Sequence, residues 1–202
     1  MALNFANNNS LSAITTKPSG LSGGAMNLIS TQTASSSANI SFTSGIDDTY
    51  DEYVFKFIDI HPASQQHFQF NVSIDGGSNY NIAKTTTTFG AYHTEADDAT
   101  SLNYKTSQDL AQGTGYQILS VNGQVGADAD NCFSGTLQLF NPSSTTFVKH
   151  FISSSNHIDG GPTSLNAFVA GYANTTSAVN AVNFQMASGN IDSGVIKLYG
   201  IS

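Results

Sequence analysis

A chain of 202 residues is the size of one β domain, or of one domain with an added arm. Only 10% of its residues are charged, about a third are Ser, Thr or Asn, the formal net charge is −8, and all six basic residues are Lys. An acidic balance without Arg, the residue that grips phosphate bidentately, argues against nucleic acid and against an anionic membrane surface as partners.

The chain opens on a stretch unlike the rest. Residues 1–38 are rich in Asn, Ser, Thr and Gly, and their apolar side chains are widely spaced: Leu3, Phe5, Leu11, Ile14, Leu21, Met26, Leu28 and Ile29. Pro18-Ser-Gly and Gly23-Gly24 break any helix. Fixing each backbone residue costs about 1–2 kcal/mol, whereas a fully buried apolar side chain returns only about 1.5–3 kcal/mol. The stretch therefore reads as an extended N-terminal arm that takes its order from another surface, and those eight side chains are its expected assembly contacts. Nothing at Met1-Ala-Leu-Asn-Phe resembles a signal peptide, and no apolar run has the length of a membrane span. The expectation is a protein made in the cytoplasm and soluble until it is assembled.

Residues 39–202 read as short strands punctuated by turns. Asn39–Thr43, with Ile40 and Phe42 alternating, is the first expected strand. Glu52–Ile60 is nearly all apolar, as for a strand covered on both faces, and His67–Asp75 alternates Phe68, Phe70, Val72 and Ile74 with polar residues. Asp75-Gly76-Gly77-Ser78 supplies a tight turn. Tyr80–Thr88 carries four consecutive threonines, which suit a strand. A long loop is expected over residues 90–100, a weak strand over Leu102–Lys105, and a short helical piece over Ser107–Gln112. Tyr116–Val121, Cys132–Phe140, Phe147–Ile152, Ala167–Ala173, Ala181–Met186 and Val195–Tyr199 complete the strands. Many short strands at this spacing predict an all-β fold, an antiparallel β-sandwich or jelly roll, with the arm appended.

Little in the chain points to catalysis, and no cofactor is implied. Cys132 cannot form an intrachain disulfide, and within N-C-F-S-G-T-L-Q-L-F it reads as a small packed side chain. The five histidines show no metal-binding spacing, and no G-x-S-x-G occurs. Asp47, Asp48, Asp51 and Glu52, and more weakly Asp128-Ala-Asp130-Asn131, are acidic turns of a kind that sometimes holds calcium, but the EF-hand spacing is absent and a solvated turn is the simpler reading of each. Asp97-Asp98 with Glu95 and His93, beside Tyr92, form a polar loop that could take part in surface recognition of a glycan or cation, with residues 122–131 and 153–163 as companion loops, although a polar loop with no ligand is the simpler reading.

Four runs carry a resemblance: M-A-L-N-F-A-N-N-N-S-L-S-A-I-T, I-S-F-T-S-G-I-D-D-T-Y-D-E-Y-V-F-K-F, S-I-D-G-G-S-N-Y-N and S-G-V-I-K-L-Y-G-I. Together they span nearly the whole chain, which is similar to a group of virion structural proteins of tailed phages of marine bacteria and cyanobacteria. The resemblance implies a small sandwich subunit on the particle surface, as tail appendage, fibre or capsid decoration, and it carries no catalytic residue. The expected protein is a non-enzymatic homo-oligomer, a trimer in the first instance, located in the virion. Its other expected partners are virion proteins and, as an alternative role, a host surface glycan.

Overall fold

The computed structural model describes residues 25–202. Its described residues form an all-β, antiparallel sandwich of two packed sheets. The strands are β1 (Met26–Ser37), β2 (Ile40–Phe42), β3 (Glu52–Pro62), β4 (Phe68–Ser73), β5 (Lys84–Thr94), β6 (Thr100–Tyr104), β7 (Ala111–Gly113), β8 (Gln117–Ile118), β9 (Phe133–Phe140), β10 (Lys149–Ile158), β11 (Thr163–Ala173), β12 (Ala181–Met186) and β13 (Ile191–Ile201). The larger sheet runs β1-β13-β3-β9-β10-β11-β5-β6, with β7 also on β5, and the smaller runs β2-β12-β4-β8.

Both sheets turn an aromatic face inward. Phe42, Phe68, Phe70 and Phe184 of the smaller sheet meet Phe55, Phe57, Phe133 and Phe151 of the larger. Phe184 sits at the hub, edge-on to Phe42, Phe55 and Phe57 and stacked on Phe68. Edge-to-face and offset-stacked contacts suit the ring quadrupoles, so the cluster gains more than its buried area alone provides. Away from it, the inner face of β5 and β10 is mostly polar, and hydrogen bonds to neighbouring side chains and carbonyls pair much of it. Thr86 Oγ1 donates to Gln117 Oε1 at 2.7 Å and Ser153 Oγ to the Thr136 carbonyl at 2.8 Å.

Several expectations are corrected. Met26–Ser37, expected to be arm, is a strand of the larger sheet, paired along β13 from Met26↔Ile201 to Ser37↔Ile191. Of the expected arm contacts, Ile29 packs against the core, whereas Met26 and Leu28 stay exposed on the edge; Leu3, Phe5, Leu11, Ile14 and Leu21 lie outside the described residues. The expected helical piece Ser107–Gln112 is a turn that ends in the first two residues of β7, because Thr86 exchanges bonds with Leu110 and draws the chain into the sheet. The expected loop 90–100 is mostly strand: β5 runs to Thr94 and β6 resumes at Thr100. The stretch 153–163 is likewise mostly strand, reduced to a turn between β10 and β11. Tyr80–Ala83 stays irregular, held by Asn71, whose amide donates to the Tyr80 carbonyl at 2.6 Å.

The strand directions give the sandwich two distinct ends. β3, β5 and β10 finish, and β9, β11 and β13 begin, at one end, which carries the turns around residues 95–99, 128–132, 159–162 and 187–190. The opposite end carries the start of β1, where Ser202 N–H donates to the Ala25 carbonyl at 3.3 Å. β1 therefore starts at the end away from that turn cluster.

Candidate functional site

The turn cluster encloses two adjoining clefts. One, of about 290 Å³, is lined by Glu95, Asp128, Asp130, Asn131, Gly160 and Pro162. The other, of about 580 Å³, is lined by Asp59, His61, Asp130, Asn131, Cys132 and Asp192. Asp130 and Asn131 form the wall between them. Short polar bonds set the shape. Glu95 N–H donates to the Pro162 carbonyl at 2.8 Å, tying the β5–β6 turn to the β10–β11 turn. Asn131, almost wholly buried, donates through Nδ2 to the Asp159 carbonyl at 3.1 Å, and its own carbonyl accepts from His61 Nδ1 at 2.7 Å. That last bond places the His61 proton on Nδ1 and leaves Nε2 as the second ring nitrogen.

Asp59 reaches the cleft because β3 is irregular there. The register with β9 shifts between Phe57 and Ile60, and Asp59 adopts a φ of 50°. Such a bulge re-aims a side chain at a sheet margin. Asp59 N–H donates to Ser134 Oγ at 3.1 Å, and Cys132 Sγ lies 3.8 Å from Asp59 Oδ1. Burial, reinforced by the Asp59 charge, pushes the Cys132 thiol up, so it stays protonated and a poor nucleophile at neutral pH.

The expected recognition residues lie at the end of β5 and in the turn after it, beside this region, and mostly brace that turn. His93 Nε2 meets Asp97 Oδ1 at 2.9 Å in an exposed pair, and Thr94 Oγ1 donates to Asp98 Oδ1 at 2.6 Å. Asp97 carries a φ of 56°, as the tight turn requires. Tyr92 is half-buried on β5. From this turn it is Glu95, not any of those four, that lines a cleft. The sequence shows D-A-D-N and D-G-G-P as polar turns but gives no sign that Asp59 and Asp192, distant in the chain, join them.

The other acidic runs do local work. Asp47 carboxylate accepts the Thr49 N–H at 2.9 Å and the Tyr53 hydroxyl at 3.0 Å, and these bonds, Thr49 foremost, hold it below the usual carboxylate range. Asp75 binds Ser73 Oγ at 2.6 Å and Asn79 N–H at 2.9 Å, which brings it down to about 2. Among the described residues no group of three or more His, Cys, Asp or Glu side chains is placed to hold a metal ion. No helix among them is long and apolar enough to cross a membrane. Compared with known proteins, the chain matches no family model and no curated sequence.

Proposed function

We propose that this chain is a non-enzymatic structural subunit of a phage particle surface, as tail appendage, fibre or capsid decoration, docked through residues 1–24. The supporting observation is the polarity of the sandwich. β1 begins at one end, and the turns that line the two clefts gather at the other. A subunit anchored through its arm then presents the opposite turns outward. The sparse charge of the arm, whose one ionised side chain is Lys17, fits docking through main-chain hydrogen bonds and apolar contacts. Other virion proteins and further copies of this chain are its partners in this reading, and assembly takes place in the bacterial cytoplasm.

The test is a truncation lacking residues 2–24, placed before β1 so that the sheet stays whole. The expected outcome is a folded protein that no longer joins particles. Normal incorporation of the truncated chain would overturn the docking role. Copy number in purified particles separates capsid decoration from tail, since a decoration protein is present at far higher number.

A host-recognition module for carbohydrate is the second reading. It is favoured by the convergence of three separate connections on the cleft around Asp130, where the carboxylates of Glu95, Asp128 and Asp130 stand ready to accept hydrogen bonds. Glycan-array binding that is lost in Asp130→Ala would support it; binding unchanged in that variant would remove the cleft from consideration.

A further inference from the structure

We propose that strand β6 is a homodimer contact, pairing antiparallel with β6 of a second copy about a two-fold axis through Leu102. β6 is the outermost strand on its side of the larger sheet, and its five residues, T-S-L-N-Y, include neither a charge nor a proline. None of the five is buried. Natural sheets usually protect such an edge with charge, proline, a bulge or brevity. The other edges here are protected. β1 has a register shift between Leu28 and Ser30, and side chains already occupy its far end, where Ser37 Oγ accepts the Ser35 N–H at 3.1 Å and Asn190 Nδ2 donates to the Ser36 carbonyl at 2.9 Å. The outer strands of the smaller sheet, β2 and β8, are only 3 and 2 residues long.

The hydrogen-bond phase of β6 fits self-pairing. Lys105 N–H donates to the Thr88 carbonyl at 2.9 Å and Thr94 N–H to the Ala99 carbonyl at 3.1 Å. Backbone groups alternate in direction along a strand, so Ser101 and Asn103 also turn theirs toward β5. Thr100, Leu102 and Tyr104 turn theirs outward. A two-fold axis through Leu102 sets Leu102 against Leu102 of the second copy and Thr100 against its Tyr104. Every outward-turned residue then faces another, which is the condition for a hydrogen-bonded antiparallel ladder.

The side chains agree with this register. Leu102, 71% exposed, is the most exposed large hydrophobic residue among those described, and Tyr104 is 48% exposed. Tyr104 stands opposite Phe89, whose ring stacks on Phe168 at 5.0 Å. The axis therefore brings two aromatic–aliphatic patches together. The charges agree as well. Lys105 follows the strand, and the turn bearing Asp97 and Asp98 precedes it. An antiparallel pair lays Lys105 of each copy against that turn of the other, twice over, with opposite signs facing. A five-residue edge buries less than the roughly 1,200–2,000 Å² of a standard interface, so the dimer is reversible and depends on concentration. The contact is isologous and by itself yields a dimer, not the trimer expected from the sequence.

Sedimentation velocity of the full chain over a series of concentrations tests this. The expected result is a shift from the mass of one chain to that of two. Leu102→Lys, checked for folding by circular dichroism, should remain a monomer throughout. Leu28→Lys, on the opposite edge, should dimerise like the unaltered chain. Lys105→Glu and Asp97→Lys should each weaken the dimer several-fold, and their combination should restore it, a rescue that no loss of folding would produce. An unaltered chain that stays monomeric, a trimer, or a dimer indifferent to Leu102→Lys would each overturn the proposal.

Discussion

Lys84 and Lys149 flank a single residue. Each is the ladder partner of Ala173, Lys84 from β5 and Lys149 from β10, and both are fully buried. Each ammonium reaches back to the carbonyl two positions before it: Lys84 Nζ donates to Ile82 O at 2.9 Å and Lys149 Nζ to Phe147 O at 2.6 Å. A second acceptor completes each site, Asn71 Oδ1 at 2.6 Å for Lys84 and Thr175 O at 3.2 Å for Lys149. The one ion pair among the described residues joins His93 to Asp97, so neither ammonium has a carboxylate partner. A chain with six basic residues thus encloses two of them as donors that gather carbonyl groups where the sheet ends.

Enclosure without a counter-charge makes stability depend on alkaline pH. Burial brings Lys84 down from 10.5 to about 8. The folded state therefore binds fewer protons than the unfolded chain between those values, and stability rises with pH across that window. The change amounts to roughly 3 kcal/mol for Lys84 alone. Thermal melts of the unaltered chain and of Lys84→Met at a series of pH values check it. The difference between the two should shift in favour of the unaltered chain as pH climbs from 8 towards 10.5, and a constant difference would refute the effect.

An acid-side counterpart lies at His157. Its Nε2 donates to the Gly123 carbonyl at 3.1 Å, so the proton of the neutral ring sits there and Nδ1 is buried without a partner. Burial lowers His157 to about 4, and it lowers His67 as well. The unfolded chain takes up protons first as pH falls, so stability is lost between about 6.5 and 4. His157→Gln keeps a donor for Gly123 and removes the titration. Denaturant titrations at pH 7 and pH 4.5 should show a smaller acid loss in the variant, by roughly 3 kcal/mol if the ring alone is responsible.

Strands with alternating apolar residues were legible in the sequence: Phe68, Phe70 and Val72 face the core as their spacing requires. β10 shows why others were extended or missed. Its buried positions are Lys149, Phe151, Ser153, Ser155 and His157, so the inward side is mostly polar and a hydropathy pattern marks only its first half. β1 has the same difficulty in stronger form, since its pairing with β13 at the far end of the chain satisfies the backbone while most of its side chains remain in solvent. The candidate site was legible only as separate acidic turns. What unites them is the antiparallel pairing that brings the margins of β13, β3, β9 and β10 to one end of the sheet in that order, and the bulge that aims Asp59, neither of which has a local signature.

Phe184 tests how much the aromatic hub contributes. It is fully buried and touches rings from both sheets, with centroids at 5.1 Å for Phe55 and Phe57 and 5.9 Å for Phe68. Phe184→Ala removes the transfer energy of the ring and leaves a cavity that rigid neighbours close only in part, a loss of about 3–5 kcal/mol. Phe184→Leu should cost clearly less, because most of the volume is retained. Urea unfolding of the two variants measures the difference; equal losses would mean that the neighbouring rings collapse into the gap.

Gly135 probes the larger sheet where its backbones come closest. A Cβ there would stand 2.5 Å from the Ser154 carbonyl oxygen and 2.6 Å from Ser155 Cβ. The obstacle is the β10 main chain, which cannot swing aside as a flexible side-chain tip can, and β9 is held on its other flank by β3. Gly115 offers the control, since a Cβ there meets nothing within 4 Å and its φ is not in the left-handed region. Gly135→Ala should lower the melting temperature by several degrees, in line with the about 1–3 kcal/mol typical of overpacking. Gly115→Ala should leave it unchanged or raise it slightly, because alanine restricts the unfolded chain. Equal melting temperatures for the two variants would show that β9 can move away from β10, and the close packing at Ser154 would then have no part in fixing the register.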